Sequence, residues 1–314
     1  MQVLIMVGNI TSFKVKDLFD NKCVKINLLP HTFLDYLLAL NVVEIVNNEV
    51  CGMFSDNTAN LEKDIFFKKI GFEYIKYFYS IPSTMDYAKK IADKYNRTII
   101  FSEIQTRGRG RAGRIWLSPP GGIWTTITWS IENMHMLNIL SLAIGVSVIK
   151  ALSNVLMLSF KLKWPNDVMF SAKKIGGILI ENIFRERKVL SIIGIGLNVN
   201  NKMKFSGLSG VTSISEVLGF NVPRDVLLKA IALEVVNTLR RGNRREIINS
   251  WKKANITLGR KIIIKLSRGG IVEGKALDIS NTGGLLIKDN NGRIIEVHCG
   301  DVVYLEGIEY KPIF

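Results

Sequence analysis

The chain has 314 residues, of which 47% are hydrophobic and 22% are charged, and its formal net charge is +15. This composition excludes a disordered chain, and the length allows one large domain with one or two small ones. The positive charge favours anionic partners such as nucleotides, nucleic acids or acidic proteins. The three cysteines and three histidines lack the spacing of zinc ligands, and so few cysteines are typical of a reducing cytoplasm.

Residues 1–62 are predicted to form a small N-terminal domain. They differ in composition from the rest of this basic chain, because no Lys or Arg lies between Lys25 and Lys63. The expected elements of this domain are two short helices and a hairpin, at residues 15–20, 30–40 and 42–54. Two short helices followed by a hairpin resemble a winged helix. Residues 55–60 are mostly polar, which predicts a linker to the next domain.

Residues 63–255 mix strand and helix patterns without strict alternation, which predicts an α+β domain around a mixed or antiparallel sheet. The expected strands are at residues 98–102, 122–129, 161–163, 175–183 and 189–198. The expected helices are at residues 83–95, 138–156, 224–241 and 244–253. Residues 256–314 predict a small SH3-like β-barrel of five strands, at residues 261–266, 271–279, 284–288, 294–297 and 302–305.

Two apolar stretches are not expected to reach a membrane. Residues 1–7 have neither a basic flank nor a cleavage site, so we do not expect a signal peptide. Residues 137–158 are long enough to span a membrane, but polar residues such as Asn138, Lys150 and Asn154 recur on one side. We therefore expect this segment to be a helix that is buried against a sheet.

The strongest single feature is the loop of residues 107–114, in which Arg and Gly are interleaved. Gly108 and Gly110 allow a backbone to approach a ligand closely, and Arg side chains match the oxygens of carboxylates and phosphates. The loop is therefore predicted to fold over an anionic ligand. An RGG-like nucleic-acid tail is the alternative, but the loop is a single short copy between two strand patterns.

Four further segments carry polar groups beside helices or strands, at residues 83–84, 163–167, 174–177 and 194–200. In the second segment, Asn166 and Asp167 follow a strand, where they can hold a metal bound to phosphate. In the third, Lys174 precedes a Gly-Gly pair. In the last, Asn198 can donate to and accept from the edge of a base.

Together with residues 105–116, and in this order, these segments resemble the biotin protein ligase family. The resemblance covers residues 74–314, the C-terminal barrel only in its pattern. It implies that biotin and MgATP form biotinyl-5'-AMP, and that biotin then passes to a lysine of a carrier. The expected carrier is the biotin carboxyl carrier protein of an acyl-CoA carboxylase. The expected location is the cytoplasm, and the resemblance is compatible with a homodimer.

The resemblance also implies roles for individual residues. Those expected to bind biotin are Ser83, Thr84, Met85, Gln105, Gly108, Arg109, Gly110, Arg111, Lys174 and Gly177. Those expected to bind ATP are Arg109, Arg111, Trp116, Asn166, Lys174 and Asn198. Lys174 and Arg111 are the expected catalytic residues, because both can stabilise negative charge on the reacting carboxylate and phosphate. Asn166 and Asp167 would hold Mg²⁺ through the phosphates, while Arg107 and Arg114 are surface charges or hinge supports.

Two alternatives remain at this point, and one position departs from the family pattern. Met85 stands where many members have Asn, which puts a polar contact from that position in doubt. The first alternative is a lipoate ligase or acyl transferase of the same fold. The second is a ligase that is also a biotin-responsive DNA-binding repressor. Against the second, residues 30–40 contain no Lys or Arg for phosphate contacts, so DNA binding is not expected.

Overall fold

The computed structural model describes residues 12–186, 188–203, 209–267 and 269–307. The helices are α1 (Ser12–Phe19), α2 (His31–Ala39), α3 (Ile65–Lys69), α4 (Thr84–Lys90), α5 (Met134–Leu156), α6 (Ile214–Leu218), α7 (Arg224–Arg241) and α8 (Arg244–Ala254). The strands are β1 (Cys23–Lys25), β2 (Val43–Val46), β3 (Glu49–Gly52), β4 (Tyr74–Ile81), β5 (Thr98–Gln105), β6 (Ile123–Ile131), β7 (Lys161–Lys163), β8 (Asp167–Phe170), β9 (Lys173–Arg185), β10 (Lys188–Leu197), β11 (Lys261–Leu266), β12 (Ile271–Ile279), β13 (Leu285–Lys288), β14 (Ile294–Val297) and β15 (Gly300–Leu305).

The first sheet has the strand order β1-β3-β2 and belongs to the N-terminal region. Leu18 of α1 and Leu37 of α2 are fully buried in the core. The predicted hairpin is confirmed: β2 and β3 are joined through Asn47 and Asn48, which both have positive φ. Asparagine tolerates this left-handed conformation better than most residues. The strand β1 was not predicted, because three residues are too few to show an alternating pattern.

A disulfide joins the edge strand β1 of this sheet to its central strand β3. Cys23 of β1 lies directly opposite Cys51 of β3, and their sulfur atoms are bonded at 2.06 Å. Cys299 is a free and exposed cysteine. The small number of cysteines is typical of a reducing cytoplasm, and this disulfide departs from that pattern. The proximity of Cys23 and Cys51 depends on β1, which the sequence pattern did not indicate.

Residues 55–60, which were predicted to form a linker, make hydrogen bonds to the start of α7. We call this group of hydrogen bonds and ion pairs the joint. The guanidinium of Arg224, at the start of α7, donates to Asp56 at 2.5 Å and to Glu103 at 3.0 Å. The backbone N of Ser55 donates to Asp225 at 3.0 Å. A buried cation is tolerated only when it is paired, so these contacts fix the N-terminal domain to the rest of the chain. The charged members of the joint are Asp56, Asp64, Glu103, Arg224, Asp225 and Lys229.

The central sheet has seven strands in the order β4-β5-β6-β10-β9-β8-β7. The pair β4–β5 is parallel and the other neighbours are antiparallel, which confirms the predicted mixed sheet in an α+β fold. Edge strand β4 was missed, because its burial does not alternate cleanly.

The two faces of this sheet are used differently. Ile193 and Ile195 of β10 join the main core with α5 and α7, whereas Ile192 packs with Met85 and Ala88 of α4 in a small second core. Side chains alternate along a strand, so Gly194 and Gly196 share the face of Ile192. Since glycines add no side chain there, this face keeps an open cleft beside α4.

The long apolar helix α5 is a core helix, as predicted. Met134–Leu156 is long and apolar enough to cross a membrane, but 72% of its most apolar window is buried inside the protein. Its polar Ser147 donates to the carbonyl of Ala143 and lies 2.8 Å from the hydroxyl of Thr238 on α7. The polar residues that argued against a membrane span therefore face neighbouring helices or solvent.

The C-terminal sheet is antiparallel, with the strand order β14-β13-β12-β11-β15. All five predicted strands are confirmed, and each begins within two residues of its expected start. The backbone N of Trp164 donates to the hydroxyl of Thr257 at 3.0 Å, which ties this sheet to the end of β7. The beginning of β15 lies beside the arginine loop, because Arg111 donates to the carbonyl of Gly300 and Arg114 donates to Asp301.

Candidate active site

The cleft lies above the glycine-rich part of β9 and β10, where Gly177 pairs with Gly196. The indole of Trp116 occupies the space over them: a Cβ added at Gly196 would lie 2.6 Å from Trp116 Nε1. A Cβ added at Gly194 would lie 2.6 Å from the sulfur of Met85. The predicted close approach at these glycines is therefore present, and any side chain at Gly194 or Gly196 would fill the cleft floor.

A network of hydroxyl and amide groups forms one end of the cleft. Ser83 is the N-cap of α4, and it and Thr84 are each only 2% exposed. Gln105 Oε1 accepts from the backbone N and the hydroxyl of Thr84, at 2.9 and 3.0 Å, and its Nε2 donates to Ser118 at 3.0 Å. The hydroxyl of Thr126 lies 2.8 Å from that of Thr84. Groups fixed in this way can recognise a compact polar ring that both donates and accepts.

Arg109 lies in a group of two cations and two carboxylates, which we call the outer cluster: Arg109, Lys89, Asp86 and Glu181. Arg109 donates to Asp86 at 2.7 Å and to Glu181 at 2.9 Å, and Lys89 also pairs with Glu181. Burial opposes ionisation of Glu181, but the hydrogen bonds from Lys89 and Arg109 outweigh it and lower its pKa. The positive charge of Arg109 is thus already matched inside the protein.

Arg111 and Arg114 of the loop belong to a second group, the inner cluster. It consists of Arg111, Arg114, Lys163, Asp167, Lys174 and Asp301. Lys174 Nζ lies 2.6 Å from Asp167, and Arg114 donates to Asp301 at 2.7 Å. Arg111 lies 3.5 Å from the same Asp301 carboxylate. Four cations here face two carboxylates. The surplus of positive charge makes the inner cluster a site for an anion.

Burial shapes ionisation within the inner cluster. It lowers the pKa of Lys163 to about 8, against the attraction of Asp167. Burial also disfavours the charged form of Asp167, but Lys174 and Lys163 outweigh it and hold its pKa below the usual range. The pKa of Arg111 is lowered, again mainly by burial. The cations thus carry a desolvation cost that a bound anion would offset.

Lys174 is held by its backbone as well as by its side chain. Its N donates to the carbonyl of Gly210, and its carbonyl accepts from Thr212, at 2.8 and 3.0 Å. Its Nζ lies 5.3 Å from the ring centroid of Trp116, within the range of a cation–π contact. The predicted catalytic lysine therefore stands between the Trp116 ring and Asp167, at the wall of the cleft.

The metal role predicted for Asn166 and Asp167 finds no support in the described part of the chain. Asn166 Nδ2 donates to the carbonyl of Ile178 at 2.8 Å, and its Oδ1 accepts from Arg111 at 3.3 Å. The carboxylate of Asp167 is engaged by lysines, as described above. The described residues contain no group of three His, Cys, Asp or Glu side chains that could hold a metal. These side chains do not fit a protein-bound Mg²⁺, which would enter with the phosphates of ATP.

Two predicted ligand residues do not line the cleft. Gly108 packs on its own loop, where an added Cβ would collide with the carbonyl of Trp116. Asn198 is 2% exposed, and its Oδ1 accepts from Asn201 at 3.0 Å. The adenine contact predicted for Asn198 stays a prediction. The residues that the structure does bring together in the cleft are Ser83, Thr84, Met85, Gln105, Arg109, Gly110, Arg111, Trp116, Asn166, Asp167, Lys174 and Gly177.

Several lining residues were missed or given no role. Asp301 and Val302 reach the cleft from β15, and no sequence signal connects them to a loop 187 positions earlier. Thr125 is an ordinary strand threonine in the sequence. Lys163 belongs to a segment that was singled out, but its burial at 2% exposure could not be predicted. The Lys-Trp-Pro-Asn-Asp sequence is the signal that could have identified it.

The cleft is small as it stands, with a cavity volume of about 110 Å³. Sites that enclose a small-molecule ligand usually have volumes of roughly 300–1,000 Å³. The Trp116 ring and the loop residues Arg109, Arg111 and Arg114 line this cavity. A ligand the size of a nucleotide would therefore require the cleft to widen.

Comparison with known proteins assigns this arrangement to a family. Residues 77–198 match the biotin/lipoate A/B protein ligase family, and residues 257–304 match the biotin protein ligase C-terminal domain. The bifunctional ligase/repressor BirA of Bacillus spizizenii is 30% identical over 233 residues, which cover 71% of each protein. Biotin--protein ligase 2 of Arabidopsis thaliana is 35% identical over 120 residues, so the match spans only 36% of that relative's length.

A solved structure shows the same likeness. The biotin protein ligase from Aquifex aeolicus in complex with biotin and ATP is 30% identical, with a TM-score of 0.59. The alignment covers 73% of this chain and 97% of that one. Both matched regions carry the residues that form the cleft, and the motifs in the sequence had indicated the same relationship. This chain belongs to the biotin protein ligase family.

Proposed function

We propose that the protein is an ATP-dependent biotin protein ligase. In the first half-reaction it forms biotinyl-5'-AMP from biotin and MgATP, and in the second it transfers biotin to a carrier lysine. The observation that carries this proposal is the positive surplus of the inner cluster beside the polar network at Ser83, Thr84 and Gln105. One end of the cleft suits a polar ring and the other suits converging anions. Biotin and ATP, named as ligands of the Aquifex aeolicus relative, fit this division.

In the first half-reaction two anions must meet, because the biotin carboxylate attacks the α-phosphorus and pyrophosphate leaves. Lys174 and Arg111 stand where they can offset the repulsion between carboxylate and phosphate and the charge that grows in the transition state. Ser83, Thr84 and Gln105 hold the ring end, so the carboxylate is directed toward Lys174. Catalysis is then mostly positioning and charge stabilisation.

In the second half-reaction the amine of a carrier lysine attacks the acyl carbonyl of the mixed anhydride, and AMP leaves. The described residues that line the cleft include no cysteine or histidine, so direct transfer to the carrier accounts for the chemistry. A biotin carboxyl carrier domain with acidic surface residues is the partner that suits a chain of net charge +15. We propose that both steps take place in the cytoplasm.

The test is ATP–pyrophosphate exchange with the full chain and radiolabelled pyrophosphate. Biotin, lipoate and octanoate are supplied separately, since the alternative function is a lipoate ligase or acyl transferase. We expect exchange with biotin, because the hydroxyl and amide network matches a ring that donates and accepts, which the other two acids lack. Exchange only with lipoate or octanoate would reject the proposal.

A second function, DNA-binding repression, is known from the name of the Bacillus relatives. The two N-terminal helices and the hairpin resemble a winged helix, which favours DNA binding. The position of α2 in the structure argues against it. Phe33 and Tyr36 of α2 line a cavity together with Asn154 and Met157 at the end of α5. A helix packed on the catalytic domain and lacking cations is poorly suited to enter a DNA groove. We therefore propose that this domain does not bind DNA tightly.

This proposal is checked by fluorescence anisotropy of labelled duplex DNA with the full chain, at low and at physiological salt, with and without biotin and ATP. We expect only weak binding that disappears at physiological salt, because the general positive charge acts without specific contacts. Tight binding at physiological salt that requires biotin and ATP would show that the domain is a repressor.

A further inference from the structure

We propose that Lys163 is a positioning residue that takes over the charge of Asp167 when Lys174 moves to the substrate. The proposal rests on the function proposed above. It concerns a cation of the inner cluster to which the family resemblance assigned no role. Lys163 would not touch biotin or ATP itself and would act through Asp167 and Lys174.

The geometry places one carboxylate between two ammonium groups. Lys163 and Asp167 face each other across the pair β7–β8, at the two ends of the Trp-Pro-Asn turn. Asp167 Oδ1 lies 2.6 Å from Lys174 Nζ, while its Oδ2 lies 3.9 Å from Lys163 Nζ. In this arrangement Lys174 is the closer partner. A movement of about 1 Å would bring Lys163 into hydrogen-bond distance of the same carboxylate.

In the proposed exchange, Asp167 changes its partner from Lys174 to Lys163. This requires Lys174 to be the more exposed of the two lysines, and it is. The side chain of Lys163 is 2% exposed, and its Nζ donates to the carbonyl of Val302 at 3.2 Å. The side chain of Lys174 is 15% exposed and lies at the wall of the cleft, beside the ring of Trp116. Lys174 is therefore the more accessible of the two lysines to a ligand, whereas the side chain of Lys163 is almost fully buried.

The energetic reason is the cost of an unpaired buried carboxylate. If Lys174 left Asp167 alone, the side chain of Asp167, only 9% exposed, would lose its partner inside the protein. Breaking a buried ion pair in this way is strongly destabilising, because it leaves a buried charge without a partner. With Lys163 in place, the carboxylate keeps a cation and Lys174 becomes available to the substrate. Among the described residues, the charged groups near Lys163 include Asp167, Lys174, Asp301 and Arg114.

The experiment compares the full chain with Lys163→Met and Lys163→Arg in single-turnover formation of biotinyl-AMP. We expect Lys163→Met to lower the rate constant by about tenfold to a hundredfold while the biotin concentration for half-saturation changes little. Lys163→Arg keeps the charge and should recover most of the rate. An unchanged rate in Lys163→Met would overturn the proposal, as would a loss that appears only in half-saturation.

A second readout does not depend on the reaction. Acetylation of Lys174 by a small amine-reactive reagent is followed by mass spectrometry, with Lys89 as the internal reference. In Lys163→Met we expect slower acetylation of Lys174, because Asp167 then has Lys174 as its main cation. Equal acetylation rates in both proteins would overturn the exchange. Slower acetylation in a chain that forms no biotinyl-AMP would support the exchange and reject the proposed function instead.

Stability is measured in parallel, because Lys163 also bonds to β15 through Val302. A lowered melting temperature that Lys163→Arg fails to restore, together with loss of rate in both variants, would assign Lys163 a purely structural role and overturn the proposal. Recovery of rate by Lys163→Arg is the result that a structural role does not predict.

Discussion

The joint and the inner cluster both bury charged groups, but their imbalances have opposite signs. In the joint, Arg224 and Lys229 meet four carboxylates, those of Asp56, Asp64, Glu103 and Asp225. In the inner cluster, four cations meet two carboxylates. The negative surplus of the joint can be relieved by a proton, and burial raises the pKa of Asp225 to about 6. Arginine does not lose its proton, and Lys163, with a pKa of about 8, stays mostly charged at neutral pH. An anionic ligand would therefore relieve the positive surplus of the cleft.

The largest effect is expected at the joint, from Arg224→Met. This change leaves Asp56 and Glu103 without the cation that both contact, and it also removes a hydrogen bond to the carbonyl of Gly122. We expect the free energy of unfolding to fall by about 3–5 kcal/mol, measured by denaturant titration. Lys76→Met is the matched control, because the Lys76–Glu62 pair is about one-third exposed and should contribute less than about 1 kcal/mol. Equal losses in the two variants would contradict the distinction between buried and exposed pairs.

Next in size is Lys174→Ala, which removes a cation from the surplus of the inner cluster. We expect formation of biotinyl-AMP to slow by about a hundredfold to a thousandfold, because the charge is needed most in the transition state. ATP binding should weaken by less than about tenfold, as measured by calorimetry. Lys89→Ala, in the balanced outer cluster, is the control and should leave the rate close to that of the unchanged chain. Unchanged turnover in Lys174→Ala would remove this residue from the mechanism.

A smaller effect follows from Asp225 and depends on pH. Its pKa in the folded chain is about 6, above the ordinary 3.8, so the folded state prefers the protonated carboxyl. The corresponding stability is complete below about pH 4 and is lost as the pH rises through 6. Asp225→Asn should remove this slope and stabilise the chain above pH 6, by at most about 3 kcal/mol. The Asn amide keeps one acceptor for the backbone N of Ser55. A stability profile between pH 4 and 8 that is identical in both proteins would contradict the assignment.

The smallest effect is expected from Glu181→Gln in the outer cluster. This change gives the outer cluster a positive surplus like that of the inner cluster, but its side chains remain 28–47% exposed. Solvent should compensate for most of the change, so we expect a loss of less than about 1 kcal/mol in unfolding free energy. Biotinyl-AMP formation should change by no more than about threefold. A loss as large as that of Lys174→Ala would show that charge balance matters in the cleft regardless of exposure.

Much of the fold was predictable, because long periodic segments dominate it. The helix at Arg224–Arg241 and the strand at Lys261–Leu266 begin and end at the predicted residues. Short or edge elements were missed, such as β1 and β4, since their burial patterns are brief or mixed. The pairing of Cys23 with Cys51 was lost for the same reason.

Site residues that belong to a sequence motif could be predicted. Site residues that only the packing of distant segments brings to the cleft could not. Lys174, Arg111 and Gln105 were identified from their segments, and the structure brings them into one cleft. Asp301 could not be identified, because only the packing of the C-terminal sheet brings it to Arg114. The sequence also did not show that Arg109 belongs to the outer cluster, whereas Arg111 and Arg114 belong to the inner cluster. Arg109 is matched by carboxylates of α4 and β9, and no local pattern reveals partners that lie on other elements.

The position of β15 has a consequence for the order in which the protein is made. A ribosome that has synthesised the chain as far as residue 298 has completed every strand of the central sheet, together with Lys174 and the arginine loop. The wall formed by Gly300, Asp301 and Val302 does not yet exist. During synthesis Arg111 and Arg114 therefore lack these partners, and the anion site reaches its final form only after residues 300–302 have emerged.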